Sequence, residues 1–547
     1  MPVIKIRERI EEVDSPVTGQ SNAVVVPLFV SSQRLKKTNE EWEYISGKIK
    51  PELYSSVSSF DAGEDIEIAG VKGFNPIGLG AMTIKDKDEA ILDNSYYYIR
   101  SLLEAGAKVY VYPIDLMDDG ILGKEITIDG ITSDVSDLFT PTLGLSLDKI
   151  NLPISVAAGT DLENNEVSTN VVNSNKLAAE YLFTRYSDPG SDIVYSEIIR
   201  ILAEKNGYFN KLKDKMAYNF KFLTTGAHAN AYYLDSKSDS KPALTGSFKS
   251  LLKLCVALED DSTLKSGRGD CLFTLDFSSD LTKVELENGK SIYTAMQDIS
   301  FSGSPEDDEA YGKFGFCTYP WVKKNISLDT IELPGSFAYL MAFMASTITN
   351  GNEDFAAIAG YTRGTVSNGN DLVPIEDLGD IDCHIFQSDS FSEFNYDSGD
   401  DKKYFNMTIN PIIKYPDGTY KIKGNRVMSK PPVGTDGINP DADNVRDCTY
   451  FLNVRHIIFD IKKECYMASS REQFEPNDDV TWTNFLNWVN PLLDGMINNR
   501  GLDWYSWKRL DTNGVKGLIK AQVTVKPIEA VESFDITVFV KNTDEEE

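Results

Sequence analysis

The chain has little of what catalytic and metal-binding proteins commonly use. It holds only three histidines, His228, His384 and His456, and apart from the adjacent Cys383–His384 pair none has a second histidine or a cysteine at ligand spacing. A tetrahedral zinc site needs four converging ligands, so no zinc motif is recognisable and the histidines read as structural. The six cysteines, at 255, 271, 317, 383, 448 and 465, form no Cys-x-x-Cys pair and are irregularly spaced. That pattern argues against a disulfide framework and for reduced, mostly buried thiols. The longest apolar-leaning stretch, 337–345, is too short to span a bilayer. The opening MPVIKIRERIEEV has no apolar run of signal-peptide length, so neither secretion by the usual route nor membrane insertion is expected. Basic residues are in deficit: 54 Lys and Arg stand against 84 Asp and Glu, a formal net charge of −30. Phosphate contacts need clustered cations, so nucleic acid is not an expected partner. The same charge keeps the chain soluble and makes its copies repel one another.

Catalytic signatures are missing as well. Gly289-Lys290-Ser291 looks like the end of a phosphate-binding loop, but Val284 stands where that loop needs glycine. There is no Gly-x-Ser-x-Gly, and no cysteine and histidine fall in a recognisable frame. With 84 carboxylates, acidic pairs occur throughout and say nothing about glycoside chemistry. Arg268-Gly269-Asp270 precedes an apolar run, CLFTLDF, and reads as a turn entering a strand rather than an adhesive tripeptide. Asn325-Ile326-Ser327 and Asn406-Met407-Thr408 match the glycosylation pattern, but no modification is expected without a secretory signal. In 547 residues, this shortage of reactive constellations points to a structural protein with no cofactor, no metal and no enzymatic role.

What is present is the composition of a globular protein, 41% hydrophobic and 25% charged. At about 100–200 residues per domain, the length allows several modules. The first residues alternate: Ile4, Ile6 and Ile10 lie between Lys5, Arg7 and Arg9, with Glu8 on the apolar face, before Ser15-Pro16 and Gly19 break the pattern. An isolated strand of this kind cannot offset its own ordering entropy, so it frays or pairs elsewhere. NAVVVPLFV (22–30) is a short apolar strand whose Pro27 places its second half at an edge. Residues 95–104 form a helix ended by Ala105-Gly106, followed by a strand at 108–112, an α/β unit. Further strands are predicted at 218–223 and 271–277, with a helix at 248–258 carrying Leu251, Leu252, Cys255 and Leu258 on one face. Residues 115–210 are rich in Asp, Ser, Thr and Asn and read as an insertion.

Residues 452–461 are apolar and β-branched and read as a buried strand. Asn477 or Asp478 can cap a helix starting near Val480, with Trp482, Phe485, Leu486, Val489, Leu492, Leu493 and Met496 at helical spacing. Pro491 predicts a kink or restart within it, and Gly495 and Gly501 bracket its end. Strands follow at 518–525 and 534–541. In the second, Phe534, Ile536, Val538 and Val540 share a face, and the chain closes on an acidic tail.

Several segments together resemble the tail sheath proteins of contractile bacteriophages. The strongest is REQFEPNDDVTW (471–482), with Phe474, Glu475, Pro476, Asn477 and Trp482, followed by the amphipathic helix and final strands. A second is Tyr319-Pro320-Trp321, then Leu333-Pro334-Gly335-Ser336, then AAIAGYTRG (356–364). Here Gly335 replaces the family's second proline and Ala359 stands before Gly360 without its proline. A third is Asn410-Pro411, Tyr415-Pro416-Asp417-Gly418 and Gly424-Asn425-Arg426, beside Leu452-Asn453-Val454-Arg455. The order of these segments across 310–540 gives the resemblance its specificity, and the N-terminal half matches only loosely.

The resemblance implies an α/β (α+β) multidomain chain: a sheath-type core of mixed sheets flanked by helices, extended N- and C-terminal β arms, and a peripheral insertion domain. The implied layout is an N-terminal arm at 1–21, the first part of the core at 22–114, the insertion at 115–210, a central α/β domain at 211–440, a C-terminal domain at 441–530, and the C-terminal arm and tail at 531–547. In the family the arms leave their own subunit and complete a sheet in a neighbour, so Ile4, Lys5, Ile6, Arg7, Arg9 and Ile10, and Phe534, Ile536, Val538 and Val540, are the candidate inter-subunit residues. An eight-residue strand adds roughly eight hydrogen bonds, on the order of 4–12 kcal/mol before the cost of ordering the arm. The alternative is that both strands fold back on their own domain. The implied partners are further copies in stacked six-membered rings, a tail tube protein, and baseplate and tail terminator proteins. The implied location is the virion after synthesis in the host cytoplasm. Lys5, Arg7 and Arg9 are expected to meet acidic neighbours. The competing readings are the sheath of a phage-derived injection machine, a cytosolic enzyme with a β-rich accessory domain, and another virion component such as a capsid or fibre protein.

Overall fold

A computed structural model describes residues 22–30, 35–38, 41–44, 51–68, 71–83, 94–115, 125–128, 131–134, 209–228, 232–234, 242–244, 246–256, 267–276, 311–326, 329–350, 355–366, 372–378, 409–429, 448–512, 517–528 and 530. Both arms, most of the 115–210 segment, Cys383, His384, the 289–291 segment and the 406–408 sequon lie outside the described residues.

The largest element is an eight-stranded sheet. Its strands are β1 (Val24–Val30), β2 (Glu52–Tyr54), β3 (Val109–Asp115), β4 (Phe222–Leu223), β5 (Leu272–Thr274), β6 (Gly315–Tyr319), β10 (Ile409–Lys414) and β11 (Tyr420–Ile422). The spatial order is β11-β10-β6-β5-β4-β1-β3-β2, parallel throughout except for the antiparallel edge strands β2 and β11. Residues of the expected 22–114 and 211–440 segments thus share one sheet. Three further strands, β7 (Val322–Ile326), β8 (Asp329–Leu333) and β9 (Leu372–Pro374), form a small antiparallel sheet ordered β8-β7-β9.

Every residue of β1 is buried, as a parallel strand covered on both faces requires. β1 pairs with β3 along its whole length but with β4 only at Val24 and Val25. The amide of Val24 donates to Lys108, towards β3, and the carbonyl of Val25 accepts from Thr224, towards β4. By alternation the nitrogen of Pro27 also faces the β4 side, beyond the last paired residue. The missing N–H therefore costs no ladder bond, and the edge-like second half expected from Pro27 is present in this sense.

Helix α1 (Ser95–Glu104) packs on β1 and β3, α2 (Gly246–Cys255) on β5, and α3 (Gly335–Asn350) on β6 and α1. The end of α1 is where the sequence places it. Gly106 has φ +81°, the amide of Ala107 donates to Leu102 and that of Gly106 to Leu103, a Schellman cap that glycine adopts without a Cβ penalty. Leu251, Leu252 and Cys255 of α2 are buried as expected, and Leu258 lies outside the described residues. The strands expected at 218–223 and 271–277 are present but shorter, as β4 and β5.

Residues 452–461 are not a strand. They begin α4 (Leu452–Arg471), a twenty-residue helix. Their strand-like sequence has a physical cause: α4 is walled on two sides. Leu452 and Phe459 belong to the sheet's core, whereas Ile457, Ile461 and Ala468 belong to a second core with Val489, Leu493, Met496 and Leu502. Burial around most of the circumference erases the 3.6-residue period and leaves a β-branched run that looks like a strand.

Helix α5 runs Asp479–Asn498 as a single element through Pro491, so of the kink or restart expected there the restart does not occur. Asp478 caps it, its Oδ1 accepting from the amides of Val480 and Thr481, both at 3.0 Å. Its far end closes on another Schellman pair, with Arg500 rather than a glycine in the left-handed position at φ +66°. Gly501 is needed next to it for a different reason: an added Cβ would lie 2.8 Å from the Phe355 ring. The chain then forms a hairpin of β12 (Leu502–Leu510) and β13 (Lys520–Pro527). The strand expected at 518–525 is thus displaced by two residues, and its described partner is β12, which precedes it.

Candidate interaction surface

The hairpin is a sheet of two strands held by eight register pairs, from Leu502–Pro527 to Leu510–Lys520. One face rests on α5. Tyr505, Trp507, Val523 and Val525 pack against the second core, while Trp504 remains largely exposed on the other face. Trp482 stacks on Phe485 at 5.5 Å and meets Trp507 edge-on at 6.1 Å, so aromatic rings pin the hairpin to the first turns of α5. Polar bonds complete the seat. Trp507 Nε1 donates to Asn490 Oδ1 at 3.0 Å and the Tyr505 hydroxyl to Asp494 Oδ1 at 2.8 Å. Burial, reinforced by the Asp494 carboxylate, pushes the Tyr505 phenol up to about 12. Neither outer edge of the hairpin pairs with another strand among the described residues.

The motif residues divide between separate jobs. Asn477 braces the α4–α5 loop to the hairpin: its Oδ1 accepts from Arg509 at 3.2 Å and its Nδ2 donates to the Leu518 carbonyl at 3.4 Å. Arg509 also pairs with Asp479 at 2.9 Å. The Pro476 carbonyl accepts the Thr481 hydroxyl at 2.5 Å. Phe474 and Glu475 instead face solvent, and Phe474 has φ +74°.

Tyr319, Pro320 and Trp321 do not join this surface. Tyr319 is buried at the end of β6, where its hydroxyl donates to Glu376 at 2.5 Å, and a cis bond links it to Pro320. Gly335 lies so close to the Thr318 carbonyl that a Cβ would collide with it, which explains glycine at this position. The third set of segments does converge. Asn410 Nδ2 donates to the carbonyls of Cys317 and Arg426, both at 2.9 Å, and Asn425 Nδ2 donates to Asn453 Oδ1 at 2.7 Å, tying β10 to the start of α4.

Charge is buried where α4 meets the amino edge of the sheet. Lys221 Nζ and Asp460 Oδ2 are 2.9 Å apart with both side chains fully buried. Lys463 donates to the Phe220 carbonyl at 2.5 Å, and burial lowers its ammonium to about 8. Arg268 of the Arg-Gly-Asp sequence is buried against Asp270 at 2.9 Å and stacks on Phe220 at 4.3 Å. The tripeptide is thus a turn at strand entry, hidden from any receptor. Burial and the nearby cations Lys221, Lys463 and Arg455 hold His456 well below its usual pKa, so it stays neutral and shares a 3.2 Å hydrogen bond with Tyr339. Among the described residues no group of three His, Cys, Asp or Glu could hold a metal ion, and no helix is long and apolar enough to cross a membrane.

Sequence reasoning missed β12. Tyr505 and Trp507 alternate with Ser506 and Lys508, a period of two that was available but hidden by the charged and aromatic side chains.

No protein-family model matches the chain, and no curated protein matches it in sequence. Solved structures that superpose on it include the contracted sheath complex of the extracellular contractile injection system PVC. That match has 11% identity and a TM-score of 0.46, and covers 100% of this chain and 98% of the other. The contracted helical sheath of the anti-feeding prophage gives 12% identity and a TM-score of 0.44, covering 99% of each chain. The sheath tail protein of Desulfitobacterium hafniense gives 9% identity and a TM-score of 0.40, covering 96% of this chain and 100% of the other. Identities this low do not fix a shared activity.

Proposed function

We propose that this protein is a non-enzymatic subunit of a contractile phage tail sheath, which polymerises around a tail tube and shortens to drive it through the host envelope. The observation that carries this reading is the β12–β13 hairpin. A two-stranded sheet is marginal in water, and unpaired edges are templates for further strands. Here one face is seated on α5 and both edges are unpaired among the described residues. The arms are the strands that fit: Ile4, Ile6 and Ile10 with Lys5, Arg7 and Arg9 at one end of the chain, and Phe534, Ile536, Val538 and Val540 at the other. Charge favours the C-terminal arm on this hairpin. The strands carry Lys508, Arg509, Lys520 and Lys526 against Asp503 alone, whereas residues 531–547 carry six carboxylates and one lysine.

Strands supplied by neighbouring copies give a heterologous contact that does not close, and so a helical polymer of stacked rings. The arm links hold while the bodies slide between two packings, and the work of contraction comes from the difference in packing. Tube, baseplate and terminator proteins are the remaining partners of such a sheath, and the virion is its location. The test is electron microscopy of the purified full chain beside one lacking 1–21 and 531–547. The full chain is expected to form rings or tubes and the trimmed chain dispersed particles. Trimmed chains that still build shortening cylinders would overturn the proposal.

A further inference from the structure

Two surface patches of opposite charge each present an unpaired apolar side chain. The first is the α4–α5 loop. Phe474 is 96% exposed, and its left-handed backbone is one a bulky residue rarely adopts. Glu472 and Glu475 flank it, and neither forms an ion pair among the described residues. The neighbouring Arg471 is occupied, its guanidinium lying 4.0 Å over the Trp488 ring. The loop is also braced: Asn477 ties it to the hairpin and Asp478 to α5. A fully hydrated phenyl ring held out on a braced loop gains nothing for the isolated fold.

The second patch is the segment before β4. Met216 is 59% exposed, and Lys211, Lys213 and Lys215 precede it within five residues. None of these lysines has a carboxylate partner among the described residues, although the chain carries 84 acidic groups. Lys215 instead lies over the Tyr466 ring at 5.5 Å. The Asp214 carboxylate is engaged by the amides of Met216 and Ala217.

We propose that the Phe474 loop of one copy docks on the Met216 lysine patch of a second copy. The contact places an aromatic anchor against a polarisable methionine, with two flanking carboxylates on one side and the three lysines of the Met216 segment on the other. In a chain of net charge −30, a lysine cluster with no carboxylate partner among the described residues, facing an acidic loop, converts repulsion between copies into local attraction. The inference rests on the polymer reading above and adds a second contact, distinct from the arms.

The test is the critical concentration for assembly of the full chain, read by sedimentation and electron microscopy, with circular dichroism confirming that each variant is folded. F474A is expected to raise it about tenfold or more, as truncation of an interface anchor does. The triple reversal K211E/K213E/K215E and the double reversal E472K/E475K should each do the same, and combining them should restore assembly. Unchanged assembly by F474A and both reversals would overturn this contact while leaving the polymer standing. So would a combined variant that stays defective, which would assign the lysines to some other acidic partner. A wild-type chain that never assembles would overturn both readings.

Discussion

The sheet and the C-terminal hairpin solve the same problem in opposite ways. Both present strand edges, and the sheet covers one of its own. At β11 the amide of Val366 donates to Tyr420 and that of Ile422 to the Gly364 carbonyl, so the segment after 360 closes that flank. Its interior charges are matched as well, with Lys221 on Asp460 and Arg268 on Asp270. The hairpin has one half-buried face, one exposed face and no third strand among the described residues. The sheet is thus covered on its β11 flank, whereas the hairpin keeps both edges open among the described residues.

The comparison can be broken first at the seam. Asp460→Ala strands the fully buried Lys221 ammonium, and the expected loss is about 3–5 kcal/mol. Thermal unfolding should show the whole sheet melting early. An unchanged midpoint would mean that the pair is not a keystone of the closed region.

A second effect also belongs to the sheet alone. The Asp276 carboxylate is buried just beyond the end of β5, where it accepts from the amide and hydroxyl of Ser336, at 2.9 and 2.5 Å. Burial raises it to about 7 from 3.8. The folded state therefore holds this proton more tightly than the unfolded chain. The stabilisation is complete below about pH 3.8 and is lost as pH rises through about 7. Each tenfold gain in proton affinity is worth about 1.4 kcal/mol, so the whole effect is on the order of a few kcal/mol. Asp276→Asn should flatten the stability profile across that window, as read by denaturant titration at several pH values.

The smallest effect should be confined to the open region. Trp507→Ala removes the ring that meets Trp482 and Phe485 and the bond to Asn490, at a cost of about 2 kcal/mol for a half-buried aromatic. Hairpin amides should exchange faster while those of β1 and β3 keep their protection. Equal loss in both regions would show that they are one cooperative unit.

How much of this was readable in advance follows from how each element is buried. α1 has one apolar face and a glycine that ends it, so its residues announced it. α5 announced its cap and its stripe. α4 did not, because two cores bury it from both sides, and β12 did not, because a half-exposed strand alternates tryptophan and tyrosine with lysine and serine. The motif residues were readable as a group but not by role. Asn477 braces the loop, Trp482 packs the hairpin and Phe474 is left exposed. That division depends on contacts with Arg509, Leu518 and Trp507, well beyond the reach of local spacing.

Hydrogen–deuterium exchange across 502–510 and 520–527, compared between free and assembled full-length chains, tests most directly whether other copies finish the hairpin. Outward-facing amides of both strands should exchange freely in the monomer and become protected on assembly, and that protection should vanish when 1–21 and 531–547 are removed. Edge amides already protected in the trimmed monomer, or still exposed in the assembled particle, would contradict the account.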